Sequence, residues 1–191
     1  SLARIVKNAG ETARLVDDLL FIARVDAGEP RLDLRDVALG PLLSETVGNF
    51  EPIAAARPAA LTYEGAGDVA VIHGDAGRLR QVIGVVLDNA IRYSRPGGEV
   101  RVTLSEVDGA ALIAVEDDGI GVSECDRERV FERFYRARNA RAHAGGSGLG
   151  LPVAKAIIEA HGGVIRLSPS PSGGARVEIT LPAEGKQRAI S

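Results

Sequence analysis

The run DAGRLRQVIGVVLDNAIRYSRPGGEVRVTLSEVDGAALIAVEDDGIG, from Asp75 to Gly121, decides the fold. Its first half places Leu79, Val82, Ile83, Val86, Leu87 and Ala90 on one face at helical spacing, from Asp75 to about Tyr93. Pro96-Gly97-Gly98 then turns the chain, and the pattern becomes strict alternation. Val100–Ser105 and Ala111–Glu116 read as a strand pair joined around Asp108-Gly109. A long amphipathic helix feeding directly into a hairpin points to an α+β protein.

The flanking segments agree. Upstream, Pro41 to Ala56 reads as a helix carrying Leu42, Leu43, Thr46, Val47, Phe50 and Ile53 on one side, followed by short strands at Leu61–Tyr63 and Val69–Ile72. Downstream, residues 124–146 are arginine-rich and poorly patterned, and a helix over 149–161 ends at Gly162-Gly163 with Pro152 in its first turn. Val164–Ser168 and Ala175–Leu181 close the chain as a hairpin around a Pro/Ser/Gly turn. The expected architecture is a two-layer α/β sandwich, one mixed sheet with its helices on a single face.

Residues 2–26 stand apart. Leu2, Ile5, Ala9, Thr12, Val16, Leu19 and Ala23 recur at spacings of three and four, and Val6, Ala13 and Leu20 widen the stripe. Such a stripe suits one helix of a bundle, with partner helices supplied by other chain, rather than a helix lying singly; an ordinary amphipathic helix docked on its own domain is the alternative. Gly28 and Pro30 break it.

Composition narrows the class. The 191 residues are 45% hydrophobic with a net charge of −3, which suits a folded chain and gives no global attraction to nucleic acid or anionic lipid. No apolar run reaches the roughly 18 residues of a membrane span, and no signal-peptide pattern opens the chain. One cysteine, Cys125, excludes an internal disulfide and suggests a reducing cytoplasmic setting. Methionine is absent even at position 1, so the chain reads as a piece of a longer protein.

Three segments are awkward for plain structure. Asn89, amid Val86, Leu87 and Ala90, needs a hydrogen-bonding or metal partner, and Arg92 and Tyr93 add a cation and a ring. An asparagine capping a neighbouring loop is the alternative for Asn89. Glu116-Asp117-Asp118-Gly119-Ile120-Gly121 ends a strand with a carboxylate and two glycines; it suits an exocyclic amino group, or simply an acidic turn. Gly145-Gly146-Ser147-Gly148-Leu149-Gly150-Leu151 leads into a helix, so its amides suit phosphate, or the run is a flexible hinge. No Gly-Lys-Ser/Thr follows, so it is not a Walker loop.

Taken together and in this order, these segments resemble the ATP-binding catalytic domain of bacterial sensor histidine kinases, within the GHKL ATPase superfamily and its Bergerat-type fold. DNAIRYS resembles the N box, EDDGIGV the first glycine box, VFERFYRAR the F box and GGSGLGL the second glycine box. ARLVDDLLFIARVDAG resembles the second helix of the dimerisation and histidine-phosphotransfer domain. The resemblance implies three parts: a partial bundle domain at 1–28, a catalytic domain at 32–185 and a tail at 186–191. It further implies that Asn89 binds Mg²⁺, Arg92 contacts phosphate, Tyr93 walls the adenine and Asp117 binds its amino group, with Gly119 and Gly121 allowing close approach. Arg136 would reach the γ-phosphate. Amides around Gly146, Gly148 and Gly150 would cover the phosphates, with Leu149 and Leu151 anchoring the loop, and about 136–146 would form a mobile lid.

The cofactors so implied are ATP and Mg²⁺, and the partners a response-regulator receiver domain and a second copy joined through the bundle helix. The parent would be membrane-anchored with this part in the cytoplasm, and nucleic acid is not expected. Two departures stand out. Val85 occupies the position where the usual N box carries another Asn, which removes a polar group near the metal. None of His73, His143 and His161 lies in the acceptor context, so phosphate would go to a histidine outside the chain; His161 reads as a helix cap favoured by the dipole. A hydrolytic GHKL machine would need a Glu where Val85 stands, and a degenerate scaffold without kinase activity is the non-enzyme alternative.

Overall fold

The computed structural model describes residues 2–57, 59–65, 71–138, 140 and 147–183, leaving aside the side chains at 2–8, 11 and 14. It comprises two units, Ser1–Arg31 and Leu32–Ser191. The first is a single helix, α1 (Leu2–Asp26), closed by Gly28 in the left-handed region at φ 77°. Val16, Leu19 and Leu20 of its apolar stripe are exposed.

The second unit runs β1 (Arg35–Ala38), α2 (Leu39–Ala55), β2 (Ala60–Gly65), β3 (Val71–Gly74), α3 (Ala76–Tyr93), β4 (Glu99–Val107), β5 (Ala110–Asp117), α4 (Gly150–Ala160), β6 (Val164–Pro169) and β7 (Ala175–Pro182). Five strands form one sheet in the order β2-β4-β5-β7-β6; β2 pairs parallel with β4 and every other pairing in it is antiparallel. The mixed sheet and the helical layer therefore match expectation. Along β5, Ala111, Ile113, Val115 and Asp117 are buried, whereas Leu112 and Glu116 on the opposite face are only half-buried. The core lies on that buried side, where Leu43, Ile83, Leu87, Ile113, Ile157 and Ile179 lose essentially all solvent contact.

Several boundaries differ from expectation. The first short strand extends to Ala60–Gly65, and the second is Val71–Gly74 rather than Val69–Ile72, whose start lies outside the described residues. β1 is unanticipated: it pairs antiparallel with β3, Val37 opposite Ile72, and Val37 is its one buried residue. Among its described residues the arginine-rich region includes the 3₁₀ turns Glu124–Asp126 and Arg129–Phe131. Among the described residues no helix is long and apolar enough to cross a membrane.

Candidate nucleotide site

The last two turns of α3 form the spine of the site, and the residue before its first turn sets the helix in place. Asp75 accepts from the Arg78 amide at 3.0 Å, an N-cap, and from the Asp33 amide at 3.0 Å. Burial alone would raise the Asp75 carboxyl, but the Arg78, Asp33 and Gly77 amides and nearby His161 outweigh it and hold it below the usual carboxylate range. His161, 9% exposed at the end of α4, joins this cap. Its Nδ1 lies 2.7 Å from the Ile157 carbonyl oxygen and must donate, while Nε2 accepts from the Asp75 amide at 2.9 Å. The expected cap is therefore present as a ring that bonds both the last turn of α4 and the start of α3.

Farther along α3, Val85 faces α4: a Cβ at Gly150 would lie 3.0 Å from Val85 Cγ1. Val85 thus sets the approach of the glycine-rich loop to α3. Asn89 lies one turn on, along the same face. Its amide is half-buried and makes no hydrogen bond among the described residues, so the loop-capping explanation for Asn89 finds no partner there. Arg92 donates to Asp88 at 2.5 Å, one turn back, and leaves its own Nε buried without a partner among the described residues. Tyr93 ends the helix, and its carbonyl accepts the Ile120 amide at 3.2 Å. Ser94 then donates to Asp118 Oδ1 at 3.0 Å, so the acidic turn is fastened to the end of α3 at two points.

Asp117 is 6% exposed at the end of β5. Its Oδ1 accepts from the Gly119 amide at 2.8 Å and the Ala175 amide at 3.1 Å. Oδ2 has no hydrogen-bond partner among the described residues. Burial raises the carboxyl above its usual range, against the lowering by the Ala175 and Gly119 amides, and Asp118 raises it further. Gly119 has no space for a side chain, because a Cβ would run into the Tyr93 carbonyl and Asp117 Oδ1. Gly121, at φ 63°, lies against the Gly173 and Gly174 carbonyls.

On the far side, Gly148 adopts φ 72° and packs on the backbone of Phe134, whose amide donates to the Gly148 carbonyl at 3.0 Å. Phe134 is itself left-handed at φ 62°, a strained choice for an aromatic residue, and is 66% exposed. Leu149 is buried and Leu151 half-buried, which fastens the start of α4. Tyr135 is clamped by Asp126, whose carboxylate accepts its hydroxyl, and by Arg129 4.2 Å above its ring. Arg136 is half-buried and places Nη2 on the Ala140 carbonyl at 3.0 Å. Gly145, Gly146 and His143 lie outside the described residues.

Around α3 the structure thus gathers Asn89, Arg92, Tyr93, Asp117, Gly119 and Gly150. Sequence reasoning missed the fastenings: Ser94, Asp118, and the β6–β7 turn that carries Ser172 and Gly174. Among the described residues no three His, Cys, Asp or Glu side chains converge as a metal site. A free amide oxygen one turn from the unpaired Arg92 Nε fits a phosphate-borne cation.

A buried carboxylate with one oxygen left unbonded, an asparagine that makes no hydrogen bond and a glycine opening α4 thus stand around α3 among the described residues. Residues 74–185, more than half of the chain, match the family of histidine kinase-, DNA gyrase B- and HSP90-like ATPases. The chain belongs to that family and carries its ATP-binding domain. Among its members it is similar to sensor histidine kinases. It is 35% identical over 185 residues to the signal transduction histidine-protein kinase BaeS of Escherichia coli K12, covering 96% of this chain and 39% of BaeS. It is 38% identical over 185 residues to a probable sensor histidine kinase of Mycobacterium tuberculosis CDC 1551, covering 95% and 47%. The chain therefore spans under half the length of these curated relatives. Among solved structures, the mycobacterial sensor histidine kinase MprB superposes with TM-score 0.70 at 29% identity, over 78% of this chain and 98% of that one. Full-length ShkA in complex with AMPPNP gives 0.77 at 28% identity, over 93% and 37%.

Proposed function

We propose that this chain is the ATP-binding catalytic part of a two-component sensor histidine kinase. The intact kinase passes the γ-phosphoryl group of ATP to a histidine outside residues 1–191, and then to an aspartate of a response-regulator receiver domain. The observation that carries the reading is Asp117: a buried carboxylate with Oδ1 held by two amides and Oδ2 left for a ligand. An exocyclic amino group is the matching donor.

In this reading Tyr93 walls the base, Gly119 and Gly121 let it approach, and Arg92 turns its unpaired Nε to phosphate. Asn89 would hold Mg²⁺ together with the phosphates, the ion neutralising their charge. Amides around Gly146, Gly148 and Gly150 line the phosphates, Leu149 and Leu151 anchor that loop, and Arg136 leaves Ala140 for the γ-phosphate. The chain's own contribution is position and charge neutralisation, not a nucleophile.

Residues 1–28 then form part of the phosphotransfer bundle, 32–185 the catalytic domain and 186–191 a tail. The exposed Val16, Leu19 and Leu20 support pairing of α1 with a second copy in the intact protein. The parent is membrane-anchored outside these residues, with this part facing the cytoplasm. Titration of Mg·ATP into wild type and Asp117→Ala tests the reading: binding lost in the variant is expected, and equal binding or none in either overturns it. Radiolabelled ATP should leave no acid-labile phosphate on this chain alone.

A further inference from the structure

The Pro/Ser/Gly turn between β6 and β7 looks like a plain hairpin connection, yet it holds Asp117 from two sides. Ser172 Oγ donates to the Asp117 carbonyl at 3.1 Å, and the Ala175 amide donates to Asp117 Oδ1. Counting protons gives the serine pair a direction. Ser172 has one hydroxyl proton and places it on a carbonyl, so at 2.7 Å Ser170 Oγ must donate to Ser172 Oγ. The Ser172 amide in turn approaches Ser170 Oγ at 3.3 Å, closing a small ring of bonds. Ser170 is 6% exposed and its amide donates to the Gly174 carbonyl at 3.0 Å. Gly174 has no room for a side chain: a Cβ there would run into Asp117 O, Asp117 Oδ1 and the Gly119 amide. The turn and the carboxylate therefore cannot shift independently.

Resting on the reading of Asp117 as the base-contacting group, we infer that Ser172 is a positioning residue for nucleotide selectivity. By locking the turn onto residue 117 it aims Oδ2, so that the site prefers a 6-amino purine to a 6-oxo purine. A serine that merely supported the fold would affect both nucleotides alike.

The test is a calorimetric titration of the chain with Mg·ATP and Mg·ITP. Loss of one neutral hydrogen bond acting through Asp117 predicts that Ser172→Ala weakens ATP about five-fold. ITP should stay within about two-fold, since its oxo group gains nothing from an aimed carboxylate. Ser172→Thr, which keeps the hydroxyl, should restore the preference. In an Asp117→Asn background, where residue 117 offers an amino group in place of Oδ2, Ser172→Ala should no longer shift the ATP:ITP ratio against ATP. Equal losses for both nucleotides, or an undiminished effect in the Asp117→Asn background, overturn the role of Ser172 while leaving Asp117 in place. If Asp117→Asn alone does not change the ratio, the base-contact reading itself falls, and this inference with it.

Discussion

Replacing Asp117 by Asn separates what the residue does for the fold from what it does for the ligand. Asn Oδ1 can keep both bonds to the Gly119 and Ala175 amides, so the turn and β7 should stay in place. Oδ2 becomes an NH₂ group, and an acceptor facing the ligand becomes a donor. A hydrogen bond to a charged acceptor is worth about 1.5–3 kcal/mol, so ATP affinity should fall about 10- to 150-fold. ITP, which offers an oxo group at the same position, should gain, and the preference should narrow or reverse. Stability should move the other way. Burial raises the Asp117 carboxyl, so its ionised form is disfavoured in the folded chain. Wild type therefore loses stability relative to the Asn variant as pH climbs from about 3.9, the ordinary value, through the raised folded value. At neutral pH the variant should melt at or above wild type, and wild-type ATP affinity should itself decline as pH falls through that raised value. Calorimetric titration and thermal melts read both effects. Unchanged ATP affinity with an intact melt would refute the base contact; a variant that melts well below wild type would refute the claim that Oδ1 alone serves the fold.

Asp75→Ala removes the α3 N-cap and should cost about 1 kcal/mol, a shift of about 2–4 °C in Tm for a chain of this size. Because the Asp75 carboxyl is held below its usual range, that advantage is present above about pH 4 and disappears as pH drops through the folded value, so the two melting temperatures should converge in acid. Gly174→Ala pushes a methyl group into Asp117 and should cost about 1–3 kcal/mol of stability as well as ATP affinity; a variant that binds and melts like wild type would show the turn to be loose. Asn89→Ala should make nucleotide affinity nearly independent of Mg²⁺, measured by titration with and without chelator, with little change in Tm since Asn89 bonds nothing among the described residues.

Much of this molecule is legible where a local rule and a tertiary need coincide. α3 could be read because Leu79, Val82, Ile83 and Val86 repeat a single buried face, and Asp75 caps the helix in structure as its position suggests. Asn89 stood out for the same reason: a polar amide among apolar neighbours on a helix demands a partner, and the fold supplies none among the described residues. β1 could not be read, because Arg35, Asp36 and Ala38 are exposed and one buried valine makes no period. Nor does any local pattern tell that β2 runs parallel to β4, since strand direction is set by how the chain returns and not by alternation.

The least legible part of the site is also the part that orients it. Ser94 reaches Asp118 across 24 residues and Ser172 reaches Asp117 across 55, and neither serine differs in sequence from an ordinary turn residue. The glycines carry a better signal, though an indirect one. Gly119 and Gly174 leave no space for a Cβ against the Tyr93 and Asp117 carbonyls, so they report close backbone approach, not flexibility. Gly150 lies close to a side chain instead, a Cβ there falling 3.0 Å from Val85 Cγ1, so Val85 makes a contact between α3 and the start of α4. If Val85 serves that contact, Val85→Asn should loosen the approach of α4 and lower Tm by about 2–4 °C per kcal/mol of packing lost, without strengthening Mg²⁺-dependent binding. A Val85→Asn variant that binds Mg·ATP more tightly at unchanged Tm would show instead that position 85 belongs to the metal end of the pocket.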